Sequence, residues 1–314
     1  MTYKNRLICL LSLTAFLALA YALSFVFNSG IGGAGSSSYV WLDSKNASRI
    51  NRIVISSQGE EIELLKQNNQ WFVSHNGVKY PARQMRTEDF LSILTTRSVW
   101  PVRSSSASTH ERFGLDEQAS RVTIYAGNTG LLDLLLGADD VSGREAYFCK
   151  YGQNEVRSGD NSIKTYITGP AVGWYNFRLI PESEGGNIDV DSVQRLSVYN
   201  EGRELSFSRK NRGWAISGID IENPDQAAIE NYIRIVLNTE GDNFADSVFS
   251  GDPAFNNSRI TLEFGNGRVL TIRLSEPDET GRRLAHAGGS ELIYSIPPWA
   301  AGRLFIDAAN LELR

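Results

Sequence analysis

The sequence predicts an α+β protein: an amino-terminal transmembrane helix, then two tandem, duplicated domains of antiparallel sheet with one covering helix each. Three observations predict it. Leu7 to Phe27 runs LICLLSLTAFLALAYALSFVF without a charge. Beyond it, short stretches of alternating apolar and polar residues are separated by turn residues. The second half then repeats the first at a nearly constant spacing.

At roughly 1.5 Å per residue, Leu7 to Phe27 makes about 32 Å of helix, enough to cross a bilayer's hydrocarbon core. Lys4 and Arg6 precede it and no basic residue follows closely, which puts the amino end on the cytoplasmic side. Residues 1–27 are therefore read as a signal-anchor, with 28–314 periplasmic or otherwise extracytoplasmic. A cleaved signal peptide ending at Ala20-Tyr21-Ala22 is the alternative. Residues 28–48 form a tether and lead-in whose first part, NSGIGGAGSSS, has the composition of a flexible linker. Within it, Tyr39 to Leu42 reads as a first strand or as an aromatic contact near the headgroups.

The first α+β domain is placed at 49–181. RINRIVIS, EIELLKQ and QWFVS form a three-stranded meander. Arg83 to Thr96 changes period, with Met85, Phe90, Leu91 and Leu94 on one helical face. RSVWPVRS is an edge segment. RVTIYA with GLLDLLLG, and GREAYFCKYG with NEVRS, make two hairpins, and Ile163 to Ile167 is a short helix or strand. Residues 182–189 are the linker, and the second domain occupies 190–314. There VQRLSVYN repeats INRIVISS, placing Leu196 over Ile53 and Trp214 over Trp71, both 143 residues on. Farther along the spacing becomes 138, matching Gly265 to Gly127 and Gly281-Arg282 to Gly143-Arg144. Pro224 opens a helix whose Ile229, Tyr232, Ile233, Val236 and Leu237 form an apolar stripe. Trp71 and Trp214 are the predicted core anchors of the two repeats.

All 36 acidic residues lie beyond residue 27, as do all 31 basic ones except Lys4 and Arg6. That mixed surface carries no footprint for nucleic acid. Of two cysteines, Cys9 falls in the predicted membrane helix and Cys149 in a strand, so no internal disulfide forms and packing must hold both domains. His75, His110 and His286 are isolated, without the spacing of a zinc site. No G-x-S-x-G elbow or phosphate loop occurs. No catalytic residue, metal site or cofactor is therefore assigned. Asp139-Asp140 and the matching Glu276, Asp278 and Glu279 are read as solvated acidic turns, each followed by a Gly-Arg pair. Arg144 and Arg282 are expected to pair back onto such acids. The loop after the third strand differs between copies, HNGVKYPARQ against GIDIENPDQ. Lys79, Tyr80 and Arg83 make it a candidate partner-binding cluster, although Tyr-Pro also suits a turn delivering the chain into the helix.

The W-F-V strand ending at Val73, Gly77 to Ala82 as Gly-x-x-Tyr-Pro-Ala, Phe90-Leu91, Phe113-Gly-Leu115 and Leu136-Gly137 ahead of Ala146-Tyr147-Phe148 follow one another in a moderately distinctive order. In these the chain resembles the bacterial membrane-anchored family known as domain of unknown function 4340. The resemblance covers most of Arg49 to Ile180 and, more weakly, the second copy, which lacks Tyr-Pro-Ala. It implies a non-catalytic accessory or scaffold subunit whose partners are membrane proteins, of the ABC-type export and gliding-motility-like auxiliary systems. An envelope ligand- or glycan-binding module is the alternative, and an envelope hydrolase the remote one.

Overall fold

Alternation with a period of two buries one face of each strand, and the turns between strands carry residues that tolerate positive φ. Gln58-Gly59 (φ 51° and 82°) and Glu201-Gly202 (φ 50° and 81°) are matching hairpin turns in the two repeats. The computed structural model describes residues 38–75, 77–180, 188–211, 213–248, 255, 258–307 and 310–312. The predicted span of residues 7–27, and with it the signal-anchor at 1–27, lies outside the described residues. Among the described residues no helix is long and apolar enough to cross a membrane.

In chain order the first half forms β1 (Ser38–Tyr39), β2 (Arg52–Ser57), β3 (Glu60–Gln67), β4 (Gln70–His75) and β5 (Val78–Pro81). Helix α1 (Gln84–Thr95) follows, then β6 (Ser98–Val99) and β7 (Val102–Ser104). Next come β8 (Ser120–Ala126), β9 (Thr129–Asp139), β10 (Glu145–Lys150), β11 (Val156–Asp160) and the short helix α2 (Lys164–Ile167). The second half forms β12 (Val193–Asn200), β13 (Arg203–Lys210), β14 (Gly213–Ser217), helix α3 (Gln226–Leu237) and β15 (Asn243–Val248). It ends with β16 (Ser258–Phe264), β17 (Val269–Leu274), β18 (Arg283–Ala287), β19 (Leu292–Ile296) and the short helix α4 (Pro298–Arg303).

One nine-stranded sheet has the order β5-β4-β3-β2-β8-β9-β10-β11-β7, and an eight-stranded sheet has β14-β13-β12-β16-β17-β18-β19-β15. Apart from β5 the two orders are the same. The registers agree as well: Ile53 faces Leu64 and Ile124, while Leu196 faces Phe207 and Leu262. Beyond a meander and two hairpins the first sheet carries two more strands, β5 and β7, the latter within the RSVWPVRS edge segment, and the second carries one, β15. After the long helix the chain crosses to the far edge and lays down β7 or β15 beside the last strand of the sheet. β1 does form a short ladder, with β6, and the neighbouring Trp41 and Leu42 are buried.

Two compact units emerge. The first takes the described residues up to Gly173 except Asn68–Gln70 and Lys79–Arg83; the second takes those two segments and the described residues from Trp174 on. The sequence-predicted close of the first domain at 181 is therefore too late. Phe177, Leu179 and Ile180 pack into the second core with Val193, Leu196 and Ile233, which draws the connecting segment into that unit. In the first unit Phe90 and Leu94 of α1 are buried along with Ile53, Ile55, Val122 and Ile124. Met85, expected on that apolar face, is 71 % exposed, and Thr87 takes the buried place one turn before Phe90. The apolar stripe of α3 is buried as its spacing predicts, and Asp225 caps the helix by accepting from the Ala227 and Ala228 amides.

Candidate functional site

Trp71 and Trp214, 2 % and 4 % exposed, occupy equivalent strand positions and are held by the same device. The Trp71 amide donates to Gln84 Oε1 at 2.8 Å, and Gln84 Nε2 donates back to the Trp71 carbonyl at 3.0 Å. Gln226 repeats this on Trp214 at 2.6 and 3.1 Å. A carboxamide carries one acceptor and one donor side by side, as a peptide group does. The first residue of each long helix thus pairs with the tryptophan's main chain as a peptide group would, on β4 beside β5 in the first sheet and on the edge strand β14 in the second. A glutamine opening each long helix was the sequence signal, readable only once the tryptophans were known to be clamped there.

The two acidic turns are also duplicates, built by main-chain amides. Asp140 accepts from the Glu145 and Arg144 amides, both at 3.0 Å, and from Ser142 Oγ at 2.8 Å. These bonds, the Glu145 amide foremost, hold its carboxyl below the usual carboxylate range. Asp278 accepts from Thr280 Oγ1 at 2.7 Å and from the Thr280 and Arg282 amides, and is lowered chiefly by that hydroxyl. The ion pairs around these turns differ from the sequence expectation. Asp139 pairs with Lys164 at 2.7 Å, and Arg144 meets Asp140 through its amide. Arg282 sends its guanidinium to Asp242 and to Ser295 Oγ. A carboxylate that caps a tight turn faces the turn's amides, which leaves the following side chain to reach elsewhere.

The Lys79–Arg83 segment divides. The Tyr80 ring lies 4.9 Å from Tyr175 and 4.8 Å from Phe244 by ring centroids, inside an aromatic group that includes Phe177 and Tyr294. Arg83 Nε donates to the Tyr175 carbonyl at 2.9 Å. Only Lys79 of the three stands on the surface without such a contact. Tyr80 is thus half-buried among aromatic rings, while Arg83 stays exposed and ties the segment to the Tyr175 main chain.

Cys149 is buried, and burial pushes its thiol up, away from the thiolate. Its Sγ lies 3.9 Å from His110 Nε2 and donates to the Gln153 carbonyl at 3.1 Å. That is the environment of a small buried hydrophobe with a weak donor, not of an activated nucleophile. His286 is buried with Nε2 2.7 Å from the Ser290 carbonyl, and burial foremost, with Arg273 adding, pushes its pKa down. Among the described residues no three His, Cys, Asp or Glu side chains group as a metal site would require.

Sequence reasoning missed Trp299. Five of the six tryptophans are buried, while Trp299 on α4 is 64 % exposed. It borders a groove of about 340 Å³ within the second unit, together with Asn231, Arg234 and Ile235 of α3 and Arg303. The available signal was Pro297-Pro298-Trp299, a proline start that places the ring in a first turn with only Gly302 and Arg303 one turn on.

The family model for the domain of unknown function DUF4340 matches residues 71–253, more than half of the chain. The chain belongs to the DUF4340 family. The DUF4340 match begins at Trp71 and runs through the first repeat into the second, so it includes both glutamine clamps. No curated protein and no solved structure matches the chain.

Proposed function

We propose that this DUF4340 protein is a non-catalytic extracytoplasmic accessory or scaffold subunit of a membrane complex, with an ABC-type transporter system as the expected partner. Residues 7–27 anchor it in the inner membrane, and the tether lets the two sheet units stand away from the bilayer. The observation that carries the reading is the duplication itself. One strand order and one register are built twice, and the same side chains in both copies, Gln84 and Gln226, Asp140 and Asp278, are engaged by the main chain. What recurs in both copies is framework, which suits a rigid body that presents surfaces.

The test is fractionation followed by mild-detergent purification from the native membrane. The full chain is expected in the carbonate-washed membrane pellet, with residues 1–27 retained and transporter-type membrane subunits recovered in stoichiometric amount. A soluble form beginning at Leu23 would replace the anchor by a cleaved signal peptide. Purification of the chain alone, together with turnover of an envelope substrate, would replace the scaffold by an enzyme.

A further inference from the structure

The two units differ where the short terminal helix meets the long one. In the first, Tyr166 of α2 stacks on Phe90 of α1 with ring centroids 5.4 Å apart, and Arg86 lies 4.6 Å over the Tyr166 ring while donating to the Thr165 carbonyl. The groove is filled from within. In the second unit the short helix offers Trp299 instead. Its ring points to solvent, with the Arg303 guanidinium 5.3 Å from the centroid.

The facing wall belongs to α3 and its carboxyl end. Asn231, Arg234, Ile235 and Asn238 line the groove at helical spacings of three and four residues. Among the described residues neither Arg234 nor Arg303 has a carboxylate partner, so two guanidiniums and an exposed indole border one depression. Tryptophan and arginine are the residues that most often dominate binding energy at protein interfaces. The polar groups that a sugar would need are largely engaged already. Asn238 Nδ2 donates to the Arg234 carbonyl, its Oδ1 accepts from Arg178, and Thr239 Oγ1 donates to the Ile235 carbonyl. An apolar surface of Trp299 and Ile235 flanked by free positive charge therefore suits a peptide better than a glycan. Glu240 follows α3 and also lines the groove, so it confines a ligand carboxylate to the arginine side.

We propose that this groove binds an acidic amphipathic helical segment of a partner protein. Apolar side chains of that segment pack on Trp299 and Ile235, and its carboxylates reach Arg234 and Arg303 with paired hydrogen bonds. The assignment rests on the scaffold reading and names the surface through which it operates.

Because the other five tryptophans are buried, iodide quenching of the full-length protein reports on Trp299. The probes are a fluorescein-labelled fourteen-residue peptide with Leu and Phe at helical spacing flanked by Glu, its Lys counterpart, and oligogalacturonate as an anionic sugar. The protein is kept in mild detergent, with detergent alone as the blank. The acidic peptide is expected to bind by anisotropy and to shield the iodide-accessible tryptophan, while the Lys peptide does neither. Trp299→Ala and, separately, Arg234→Glu with Arg303→Glu are expected to weaken binding tenfold or more with an unchanged melting temperature. Equal binding of both peptides, unchanged affinity after Trp299→Ala, or shielding by oligogalacturonate alone would overturn the proposal. In the native membrane, wild-type partner recovery by the double charge-reversal variant would overturn the groove and leave the scaffold standing. Loss of partner recovery in the wild type itself would instead remove the scaffold reading.

Discussion

Replacing Gln84 by Ala removes both hydrogen bonds of the Trp71 clamp, at 2.8 and 3.0 Å, and leaves the Trp71 amide and carbonyl without that partner. A hydrogen bond contributes about 1 kcal/mol net, so two come to about 2 kcal/mol, roughly a 30-fold change in the unfolding constant. Gln226→Ala removes the equivalent pair on Trp214 and should have a similar effect. The two substitutions lie in separate repeats, so the double variant should show their sum to within about 0.5 kcal/mol. Gln84→Glu separates the two bonds. The carboxylate still accepts from the Trp71 amide, but it faces the carbonyl with no proton to offer. Its pKa is therefore raised in the folded state, and the restored bond is present below the unfolded value of about 4.3 and lost as pH rises through the folded one. The assay combines denaturant melts with hydrogen exchange at the Trp71 amide, which reports the local opening directly. A Gln84→Ala variant within about 0.5 kcal/mol of wild type, with unchanged protection at Trp71, would refute the clamp.

Trp71→Ala and Trp214→Ala should each cost about 3–5 kcal/mol in the same melts, because both rings are buried; a loss below about 1 kcal/mol in both would mean a surface platform. Tyr80→Ser should lower the melting temperature by removing the stacking on Tyr175 and Phe244, while Lys79→Glu should leave it unchanged. A stable Tyr80→Ser variant that loses its membrane partner would return this loop to the interface role. His286, pushed down by burial, binds fewer protons folded than unfolded. Stability should therefore fall as pH drops from about 6.5 toward its folded pKa, and His286→Gln should flatten that step in pH-dependent melts. Asp140 and Asp278 are lowered in the same sense, so their contribution is present above about 3.9 and lost as pH falls through their folded values; Asp140→Asn with Asp278→Asn should shallow the acid limb of stability against pH.

The sequence by itself determined the local features. Period-two alternation gave the hairpin strands, glycine and asparagine marked their turns, and the stripe of α3 announced its buried face. The duplication was legible because matching strands, turn glycines and tryptophans keep their spacing, and the same register follows from it. Cys149 and the two anchor tryptophans are buried where strand patterning places them. What tertiary structure alone decided depends on partners distant along the chain. The edge strand β15 carries little pattern of its own, and pairing with β19 defines it, whereas β7 falls in the segment the sequence marks as an edge and takes its partner, β11, only in the fold. The unit boundary moved to Trp174 because Phe177, Leu179 and Ile180 found their core in the second unit. Tyr80 looked presentable on a loop, yet Tyr175 and Phe244 pack against it, whereas Trp299, which no sequence pattern singled out, stands in solvent. An aromatic side chain's burial is set by which surfaces meet it in three dimensions, and that meeting is not written in its neighbours along the chain.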